Sequence, residues 1–313
     1  MRLLLLGCTG LVGRELVPTL KAMGHQLTVV SRRPQAAVSW GKDHDLAWVQ
    51  ADTAQASSWQ QGGALQQALE ASEGVVNLAG EPIAEQRWTQ AHLQLLHDSR
   101  IATTRHLTAA MDALATPPEV LVNASAVGFY GTSEDAAFVE SSAAGRDVLG
   151  NLCSEWEAAA AARPAATRLV VVRIGIVLAG DGGALGKMLP VFRTGFGGPI
   201  GSGRQWMSWI HRTDLCAVIA SALSDTSWDG VVNGVAPHPV SMATFAATLG
   251  RCLGRPSLLP VPGPVLHLLL GDGARVVLDG QQVRSERLPQ LGFKFQFPDL
   301  PEALAAATTM RSR

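Results

Sequence analysis

The feature that most constrains this fold is a run of three evenly spaced glycines at the start of the chain. Residues 3–6 are apolar and predict a buried strand, and Gly7, Gly10 and Gly13 follow in a G-x-x-G-x-x-G pattern before a predicted helix. In this order Gly7 permits a tight turn, Gly10 lets the backbone approach a pyrophosphate, and Gly13 allows close helix–strand packing. The helix N-terminus also favours an anion. The pattern therefore predicts a dinucleotide-binding turn, with a plain structural turn as the alternative.

The end of the second predicted strand indicates which dinucleotide is bound. Residues 26–30 form a short apolar strand, and Ser31, Arg32 and Arg33 follow it. A site for NAD usually has an acidic residue here that holds the ribose 2′-hydroxyl, whereas a hydroxyl and two guanidinium groups suit the 2′-phosphate of NADP. The sequence therefore predicts NADP(H), and the alternative is a solvated basic turn.

Strands and helices alternate along the first half of the chain. Further strands are predicted at 48–52, 74–80, 120–125 and 168–178, and helices at 11–23, 57–70, 85–115 and 151–163. Alternation of this kind, with short loops, predicts an α/β fold with a doubly wound parallel sheet of the Rossmann type. The cofactor is then expected at the carboxyl ends of the strands.

The composition changes after residue 178. Glycines recur through 179–203 around a short predicted helix at 187–192, which is typical of substrate loops. A strand at 206–211 follows, with His211 as a structural histidine and Asp214 as the N-cap of a helix.

The remainder of the chain, 230–313, predicts a small cap domain with a strand at 231–235 and helices at 241–253 and 266–278. We therefore expect an NADP-binding domain at 1–178 and a region of substrate loops and cap at 179–313. Elements from 205–235 are an alternative addition to the first domain.

Charge and cysteine usage exclude several classes of protein. The formal net charge is −1 and there is no basic block, which argues against a nucleic-acid partner. The four cysteines are far apart, without a metal-binding or disulfide pattern, and this favours a reducing compartment. No apolar stretch is long enough to span a bilayer, and no signal-peptide layout is present. We expect a soluble cytoplasmic protein with a small-molecule substrate and with no metal, nucleic-acid or membrane partner; a homodimer stays open.

Several motifs in order along residues 1–306 resemble the epimerase-like branch of the atypical short-chain dehydrogenases/reductases. The motifs are GCTGLVG, SRRP, NLAGEPI, SAVGFYG, VVRIGIVL, GGPIGSG, SWIHRTDL and GFKFQFP. Proteins of this branch are often labelled nucleotide-sugar epimerases and have their own small C-terminal domain of unknown function. The resemblance implies an NADP-binding Rossmann domain.

The resemblance also implies a set of cofactor contacts on matching positions. The phosphate loop would comprise Gly7, Thr9, Gly10, Leu11, Val12 and Gly13, and the 2′-phosphate would lie against Ser31, Arg32 and Arg33. Further cofactor contacts are implied for Leu78, Ala79, Gly80, Arg100 and Val177.

The chain departs from this family at the residues that transfer a proton. Catalytic relatives use a tyrosine whose pKa is lowered by a lysine four residues later. Here the single tyrosine is Tyr130, and Glu134 stands four positions on, where it would raise the pKa of a phenol. On the helix where the pair belongs, the sequence has Cys153 and Glu157 instead.

The remaining candidates for proton transfer are Ser125, Tyr130 and Glu157. The spacing from Ser125 to Tyr130 is one residue longer than in the usual family motif, so Ala126 is an alternative occupant of the serine position. Two functions follow. The first is an NADP-dependent oxidoreductase or nucleotide-sugar epimerase acting on a small polar, nucleotide-linked substrate; the alternative is an NADPH-binding sensor or regulatory scaffold without catalysis.

Overall fold

The computed structural model describes residues 1–38 and 46–309, and the described part is built on a central parallel sheet. Its strands in chain order are β1 Arg2–Leu6, β2 Gln26–Ser31, β3 Ala47–Gln50, β4 Gly74–Asn77, β5 Val120–Ala126, β6 Ala137–Phe138, β7 Arg168–Ile174, β8 Ile176–Leu178, β9 Trp206–Met207, β10 Trp209–His211, β11 Gly230–Gly234, β12 Val240–Ser241 and β13 Gln282–Val283. Seven of them form one sheet in the order β11-β7-β5-β4-β1-β2-β3, with every pairing parallel.

The order of strands in this sheet reverses between β1 and β4. From β1 the chain proceeds outward through β2 and β3 on one side, then returns to β4 and proceeds through β5, β7 and β11 on the other. The carboxyl ends of β1 and β4 thus border a crevice where a doubly wound sheet binds its ligand. This arrangement confirms the predicted α/β fold with a doubly wound Rossmann sheet.

Helices cover both faces of the sheet and build the rest of the molecule. In chain order they are α1 Gly13–Ala22, α2 Ala64–Glu70, α3 Gln90–His97, α4 Thr103–Asp112, α5 Val148–Ala161, α6 Gly183–Arg193, α7 Arg212–Ser224, α8 Met242–Leu253, α9 Gly263–Leu270, α10 Arg275–Leu278, α11 Arg287–Gln290 and α12 Leu300–Thr309. Within the described ranges, none of these helices is both long and apolar enough to cross a membrane.

The leucine run of β1 shows why both faces must be covered. Leu3 and Leu5 pack into the core cluster that contains residues of α1 and α7, whereas Leu4 and Leu6 pack into the cluster with residues of α2 and α4. Successive side chains of a strand point to opposite faces, so a strand covered on both sides is apolar at consecutive positions.

A second lobe follows the sheet domain and has a core of its own. Leu178 of β8, Leu189 of α6, Phe245 of α8 and Leu304 of α12 are buried in one cluster. Strand β8 pairs with β10, and β9 pairs with β12, in two short sheets. This lobe lies after the carboxyl end of β7, where the chain leaves the main sheet.

Two predicted strands are each broken in two. The predicted strand 168–178 is β7 and β8, separated by Gly175, and a Cβ at Gly175 would lie 2.6 Å from the carbonyl oxygen of Ser208. The predicted strand 206–211 is β9 and β10, separated by Ser208 itself. The backbones of Gly175 and Ser208 are in close contact at these two breaks. Beyond them the chain leaves the main sheet, and β8 pairs with β10 in the small sheet.

Other expectations are corrected by the structure. The helix predicted at 57–70 is a 3₁₀ turn, Ala56–Trp59, followed by α2, and the helix predicted at 266–278 is α9 and α10 joined by a 3₁₀ turn. The strand predicted at 231–235 in the cap is β11, which pairs with β7 at the edge of the main sheet, as in the alternative that adds elements from 205–235 to the first domain. The helix predicted at 85–115 begins only at Gln90 and contains a π-helical turn, Asp98–Ala102, between α3 and α4.

Asp214 is not the N-cap of α7. That position belongs to His211, whose Nδ1 accepts a hydrogen bond from the backbone N–H of Thr213 at 3.2 Å. The carboxylate of Asp214 instead accepts hydrogen bonds from the backbone N–H groups of Gln296 and Phe297. Asp214 is buried in the first turn of the helix and ties the C-terminal segment to it.

Candidate cofactor and proton-transfer site

The turn between β1 and α1 fits closely only because its glycines have no side chains. Gly7 has a φ of 73°, and a Cβ there would collide with the backbone of Leu78 and Ala79. A Cβ on Gly13 would collide with the backbone of Cys8. At Gly10 the nearest atom to such a Cβ is the carbonyl oxygen of Gly7, at 3.7 Å, so this position is open. Two glycines are therefore needed for packing, and the third leaves space at the helix N-terminus.

At the start of α1 the N–H groups of Arg14 and Glu15 donate to the carbonyls of Gly10 and Val12, which leaves the N–H groups nearest the glycine turn for an anion. Its N-cap, Val12, provides no side-chain hydrogen bond to the helix. Orphan N–H groups and the helix dipole make such a terminus a binding site for phosphate. Thr9 and Leu11 are half-buried in the same turn, and a Cβ on Gly182 would lie 2.9 Å from Leu11 Cδ1.

The negative charge of Glu15, in this first turn, is paired by Arg212. The Glu15 carboxylate accepts hydrogen bonds from Arg212 Nε at 2.7 Å and from the hydroxyl of Thr213. Arg212 also donates to Asp181 Oδ1 at 2.6 Å and to the carbonyl of Leu11 at 3.4 Å. This network neutralises the acidic groups near the helix terminus and links α1 to α7 and to the loop after β8.

The end of β2 presents one buried hydroxyl and two exposed guanidinium groups. Ser31 is buried, and its Oγ accepts a hydrogen bond from the backbone N–H of Arg33 at 3.1 Å. Arg32 and Arg33 are exposed. The only carboxylate paired with Arg32 among the described residues is Glu81, at 3.5 Å, and such a long, exposed ion pair leaves the guanidinium free to move to another anion.

The backbone after β4 is held in place by Asn77 and Arg100. Asn77 is fully buried; it accepts a hydrogen bond from the Ala79 N–H at 3.2 Å and donates to Asn123 Oδ1 at 2.7 Å. Arg100 lies on the π-helical turn and donates to the carbonyl of Glu81 at 2.8 Å. Leu78 and Ala79 are thereby fixed against the glycine turn.

Gly80 leaves room for the Arg100 side chain. A Cβ on Gly80 would lie 3.0 Å from Arg100 Cζ, and the guanidinium also lies 5.4 Å from the ring centroid of Trp156. Burial lowers the pKa of Arg100, with carboxylate and thiol neighbours opposing that shift. Arg100 therefore stabilises the shape of this loop. Val177 is half-buried on β8, opposite Ile210 of β10, and packs against the main core cluster.

Three polar side chains lie level with one another across adjacent strands of the sheet. Ser125 of β5 is in register with Arg173 of β7, which is in register with Asn233 of β11. Partners in a parallel ladder point to the same face of the sheet. All three are buried near the carboxyl ends of their strands.

Arg173 joins the three candidates for proton transfer into one hydrogen-bonded chain. Its Nε and Nη2 each donate to one oxygen of Glu157 at 2.8 Å, and its Nη1 donates to the Tyr130 hydroxyl at 2.9 Å. Ser125 Oγ donates to Glu157 Oε1 at 2.6 Å. A bidentate guanidinium fixes the orientation of the carboxylate, so Glu157 is held toward Ser125.

The hydroxyl of Tyr130 is occupied by protein partners. It donates to Asn233 Oδ1 at 2.7 Å and accepts from Arg173, and the ring stacks on Phe138. Burial raises the pKa of this phenol, which disfavours the ionised form that a catalytic tyrosine of this family needs. The structure thus places Tyr130 as a support for Arg173.

Cys153 and Glu157, on α5, have different environments. Burial raises the pKa of the Cys153 thiol to about 11, so the thiol is neutral at physiological pH. Glu157 is only partly buried and is connected to Ser125. Of the two residues on this helix, Glu157 is the one that is hydrogen-bonded to both Ser125 and Arg173.

Sequence reasoning did not single out Arg173 or Asn233. A signal was present, because Arg173 lies inside the apolar run of β7 and Asn233 inside that of β11. A charged group within a buried strand must be paired, so its presence indicates a polar network at that level of the sheet.

Comparison with known proteins is consistent with this geometry. Residues 3–233, about three quarters of the chain, match the NAD dependent epimerase/dehydratase family. The chain belongs to this family. Residues 261–307 match a domain of unknown function, DUF1731, which confirms the small C-terminal domain that the sequence motifs implied.

Among relatives of this epimerase/dehydratase family member are proteins from plants and animals. The chain is 42% identical over 302 residues to the chloroplastic epimerase family protein SDR39U1 homolog of Arabidopsis thaliana, covering 96% of this chain and 84% of the relative. It is 39% identical over 309 residues to the human epimerase family protein SDR39U1, covering 97% and 98%.

Two solved structures are similar in fold. Human SDR39U1 with NADPH has a TM-score of 0.85 and 37% identity, covering 98% of this chain and 99% of that one. A nucleoside-diphosphate sugar epimerase of Corynebacterium glutamicum has a TM-score of 0.75 and 28% identity, covering 98% of this chain and 58% of that one. The cofactor in the human structure is the NADP(H) that Ser31 and Arg32 predict here.

Proposed function

We propose that this protein is an NADP-dependent oxidoreductase or epimerase that acts on a hydroxyl or carbonyl group of a small polar substrate. The observation that carries the proposal is the 2.6 Å hydrogen bond between Ser125 and Glu157, held by Arg173 at the carboxyl ends of β5 and β7. This arrangement favours an enzyme over a sensor or scaffold, because binding a dinucleotide does not require a clamped hydroxyl–carboxylate pair.

The residues of the β1–α1 turn and the β2 end fit NADPH. Gly10 leaves the space at the N-terminus of α1 open, which suits a pyrophosphate, and Ser31 with Arg32 suits the 2′-phosphate. The proposed 2′-phosphate position also adjoins Arg33, and the glycine turn adjoins Leu78 and Ala79, which Gly80 follows in the chain. Bound NADPH would supply a hydride to a carbonyl, and bound NADP⁺ would accept one from an alcohol.

In this proposal Ser125 and Glu157 move the proton that accompanies that hydride. A substrate hydroxyl donates to Ser125 Oγ while the Ser125 proton passes to Glu157, and the direction reverses when a carbonyl is reduced. Arg173 neutralises the carboxylate and holds it in place. In this proposal Tyr130 acts by holding Arg173, and Asn233 acts by holding Tyr130.

The proposal also covers the substrate class, which we take to be nucleotide-linked, and the cellular location, which we take to be a reducing compartment. The similarity to a nucleoside-diphosphate sugar epimerase at 28% identity supports a nucleotide-linked substrate. The four cysteines are all free thiols, which supports a reducing compartment such as the cytoplasm.

The test follows oxidation of NADPH with a panel of carbonyl compounds, and isomerisation of nucleotide sugars, in the wild type and in two variants. Ser125→Ala and Glu157→Gln should each lower kcat by about 100-fold, because general acid–base catalysis contributes roughly this factor. Matched controls on α5, the helix of Glu157, are Ser154→Ala and Glu155→Gln; both should keep kcat within about twofold, since both residues lie outside the network.

A wild type that turns over a substrate while Ser125→Ala and Glu157→Gln are equally active would contradict the proton-transfer assignment. A wild type that binds NADPH but transforms none of the carbonyl or nucleotide-sugar compounds would favour the sensor alternative.

A further inference from the structure

The second lobe has an exposed apolar surface that the cofactor site does not explain. Phe196, Leu258 and Leu268 are 67%, 81% and 75% exposed. In the described parts of the chain, most of the exposed large apolar side chains belong to this lobe: Val191, Phe196, Leu258, Leu259, Val265, Leu268 and Leu269. Isolated exposed apolar residues are ordinary, but a concentration of this kind marks an interaction surface.

Backbone pairing brings these residues together. The N–H of Leu259 donates to the carbonyl of Gly197 at 3.2 Å, and the N–H of Val261 donates to that of Pro199 at 2.9 Å. Phe196 therefore lies beside Leu258 and Leu259.

Helix α9 begins two residues after Val261 and continues the apolar surface. Val265, Leu268 and Leu269 have the i, i+3, i+4 spacing of one helix face, and no residue of α9 is buried. We call the set Phe196, Leu258, Leu259, Val265, Leu268 and Leu269 the apolar tip.

Basic residues flank the apolar tip, and the nearest acidic residue along the chain is the exposed Asp272, after the end of α9. Residues 182–213 and 230–271 contain no Asp or Glu, although the whole chain has 26 of them. Arg193, Arg251 and Arg255 are exposed close to the tip, and none of the three pairs with a carboxylate among residues 1–38 and 46–309. Arg255 precedes Pro256, which lies next to Gly195 and so near Phe196.

We propose that the apolar tip and these three arginines dock the protein on an anionic lipid bilayer. Leucine and phenylalanine side chains would enter the boundary between headgroups and acyl chains, while the arginines attract anionic headgroups. This contact is peripheral and needs no membrane-spanning helix. The proposal departs from the expectation, from the sequence, that the protein has no membrane partner.

Charge argues against a second copy of this chain as the occupant. A twofold contact through the tip presents the same surface on both subunits and would bring Arg193, Arg251 and Arg255 of one copy toward those of the other. Juxtaposed like charges oppose association. An anionic bilayer provides both negative headgroups for the three arginines and an apolar phase for the side chains of the tip.

The experiment sediments the full chain with vesicles of phosphatidylcholine alone, or of phosphatidylcholine mixed with phosphatidylglycerol. We expect at least about tenfold stronger partitioning to the anionic vesicles, weakened by added salt. Leu258→Ser combined with Leu268→Ser, and separately Arg193, Arg251 and Arg255 all replaced by Gln, should each reduce this partitioning by about tenfold.

Exposed residues elsewhere provide the controls. Val148→Ser and Arg105→Gln change an apolar and a basic surface residue outside the lobe, and both should leave partitioning unchanged. Affinity for NADPH, measured on every variant, shows that the fold is kept and is independent of the docking surface. Loss of NADPH binding by the wild type with vesicle binding retained would overturn the proposed function alone.

Three results would overturn the docking proposal. One is equal partitioning of the wild type to neutral and anionic vesicles, and another is no partitioning at all. The third is a dimer, seen by sedimentation velocity without lipid, that the leucine variant dissociates; this would assign the tip to a second copy.

Discussion

At the scale of single residues, Arg173 sets the geometry of the candidate site. Its guanidinium donates to Glu157, to Tyr130 and to the carbonyl of Glu140, and lies 3.3 Å from the ring centroid of Phe129. A buried cation is stable only where hydrogen bonds and an opposite charge replace water. Each group that satisfies Arg173 therefore also restrains Glu157, and so controls the hydrogen bond to Ser125.

Arg32 should decide the preference for the phosphorylated dinucleotide. Arg32→Ala removes an exposed guanidinium that pairs only loosely with Glu81, so the fold should be unaffected. We expect the Kd for NADPH to rise by about tenfold or more, and the Kd for NADH to stay nearly constant, because only NADPH has a 2′-phosphate. Isothermal titration of both dinucleotides measures this, with Arg105→Ala as the control. Equal weakening for the two dinucleotides would remove Arg32 from the 2′-phosphate site.

His211 should make stability fall as the solution is acidified. Burial lowers the pKa of His211 to about 4, with Glu15 opposing the shift and Arg212 adding to it. Between pH 6.5 and pH 5 the unfolded chain gains a proton that the folded protein does not, so this group lowers the free energy of unfolding by about 2 kcal/mol over that interval.

His211→Asn tests this effect, since asparagine can still cap α7 but does not titrate. Urea unfolding at pH 6.5 and pH 5 should show a smaller loss of stability in the variant than in the wild type. Identical losses in the two proteins would exclude His211 as the source.

At the scale of elements, we expect the glycines of the β1–α1 turn to have different roles: Gly13 is needed for folding, and Gly10 is needed for cofactor binding. Gly13→Ala places a Cβ against the backbone of Cys8 and should destabilise the protein by about 3 kcal/mol. Gly10→Ala meets nothing closer than 3.7 Å and should keep the stability of the wild type, while weakening NADPH binding because the methyl group occupies the phosphate space. Thermal unfolding and NADPH titration of both variants give the comparison. Full NADPH affinity in Gly10→Ala would show that the pyrophosphate lies elsewhere.

Local patterns were sufficient to predict most of the sheet and insufficient at its junctions. Runs such as residues 3–6 and 168–174 identify buried strands because parallel strands are covered on both faces. The break at Gly175 depends on contact with Ser208, which is distant in sequence. Asp214 was expected to cap its own helix, and only the folded chain shows that it binds the backbone of Gln296 and Phe297.

The candidate site was predictable in its parts but not in its connections. The sequence identifies Ser125, Tyr130 and Glu157 as polar groups near a family motif, and it does not indicate that Arg173 bonds to Tyr130 and Glu157 while Glu157 bonds to Ser125. Arg173 connects them because the register of β5 and β7 places it level with Ser125, and register is a property of the assembled sheet. The π-helical turn that positions Arg100 likewise has no distinct local pattern.

At the scale of the whole molecule, polar contacts join the cofactor turn to the second lobe. Arg212 of α7 contacts Glu15 of α1 and Asp181 of the loop before α6, and Arg14 Nη1 lies 3.4 Å from the same aspartate. Glu140 accepts hydrogen bonds from Ser285 and from the backbone of Glu286, while its carbonyl accepts from Arg173. The loop before α6 is thus connected to the cofactor turn, and the C-terminal segment is connected through Glu140 to Arg173.

The central claim is that the carboxyl ends of β1 and β2 bind the phosphates of NADPH. The most direct measurement is a calorimetric titration of the wild-type chain with NADPH and, separately, with NADH under the same conditions. We expect saturable binding of one NADPH per chain, with a Kd at least about tenfold below that for NADH. Absence of NADPH binding, or equal affinity for the two dinucleotides, would contradict the account.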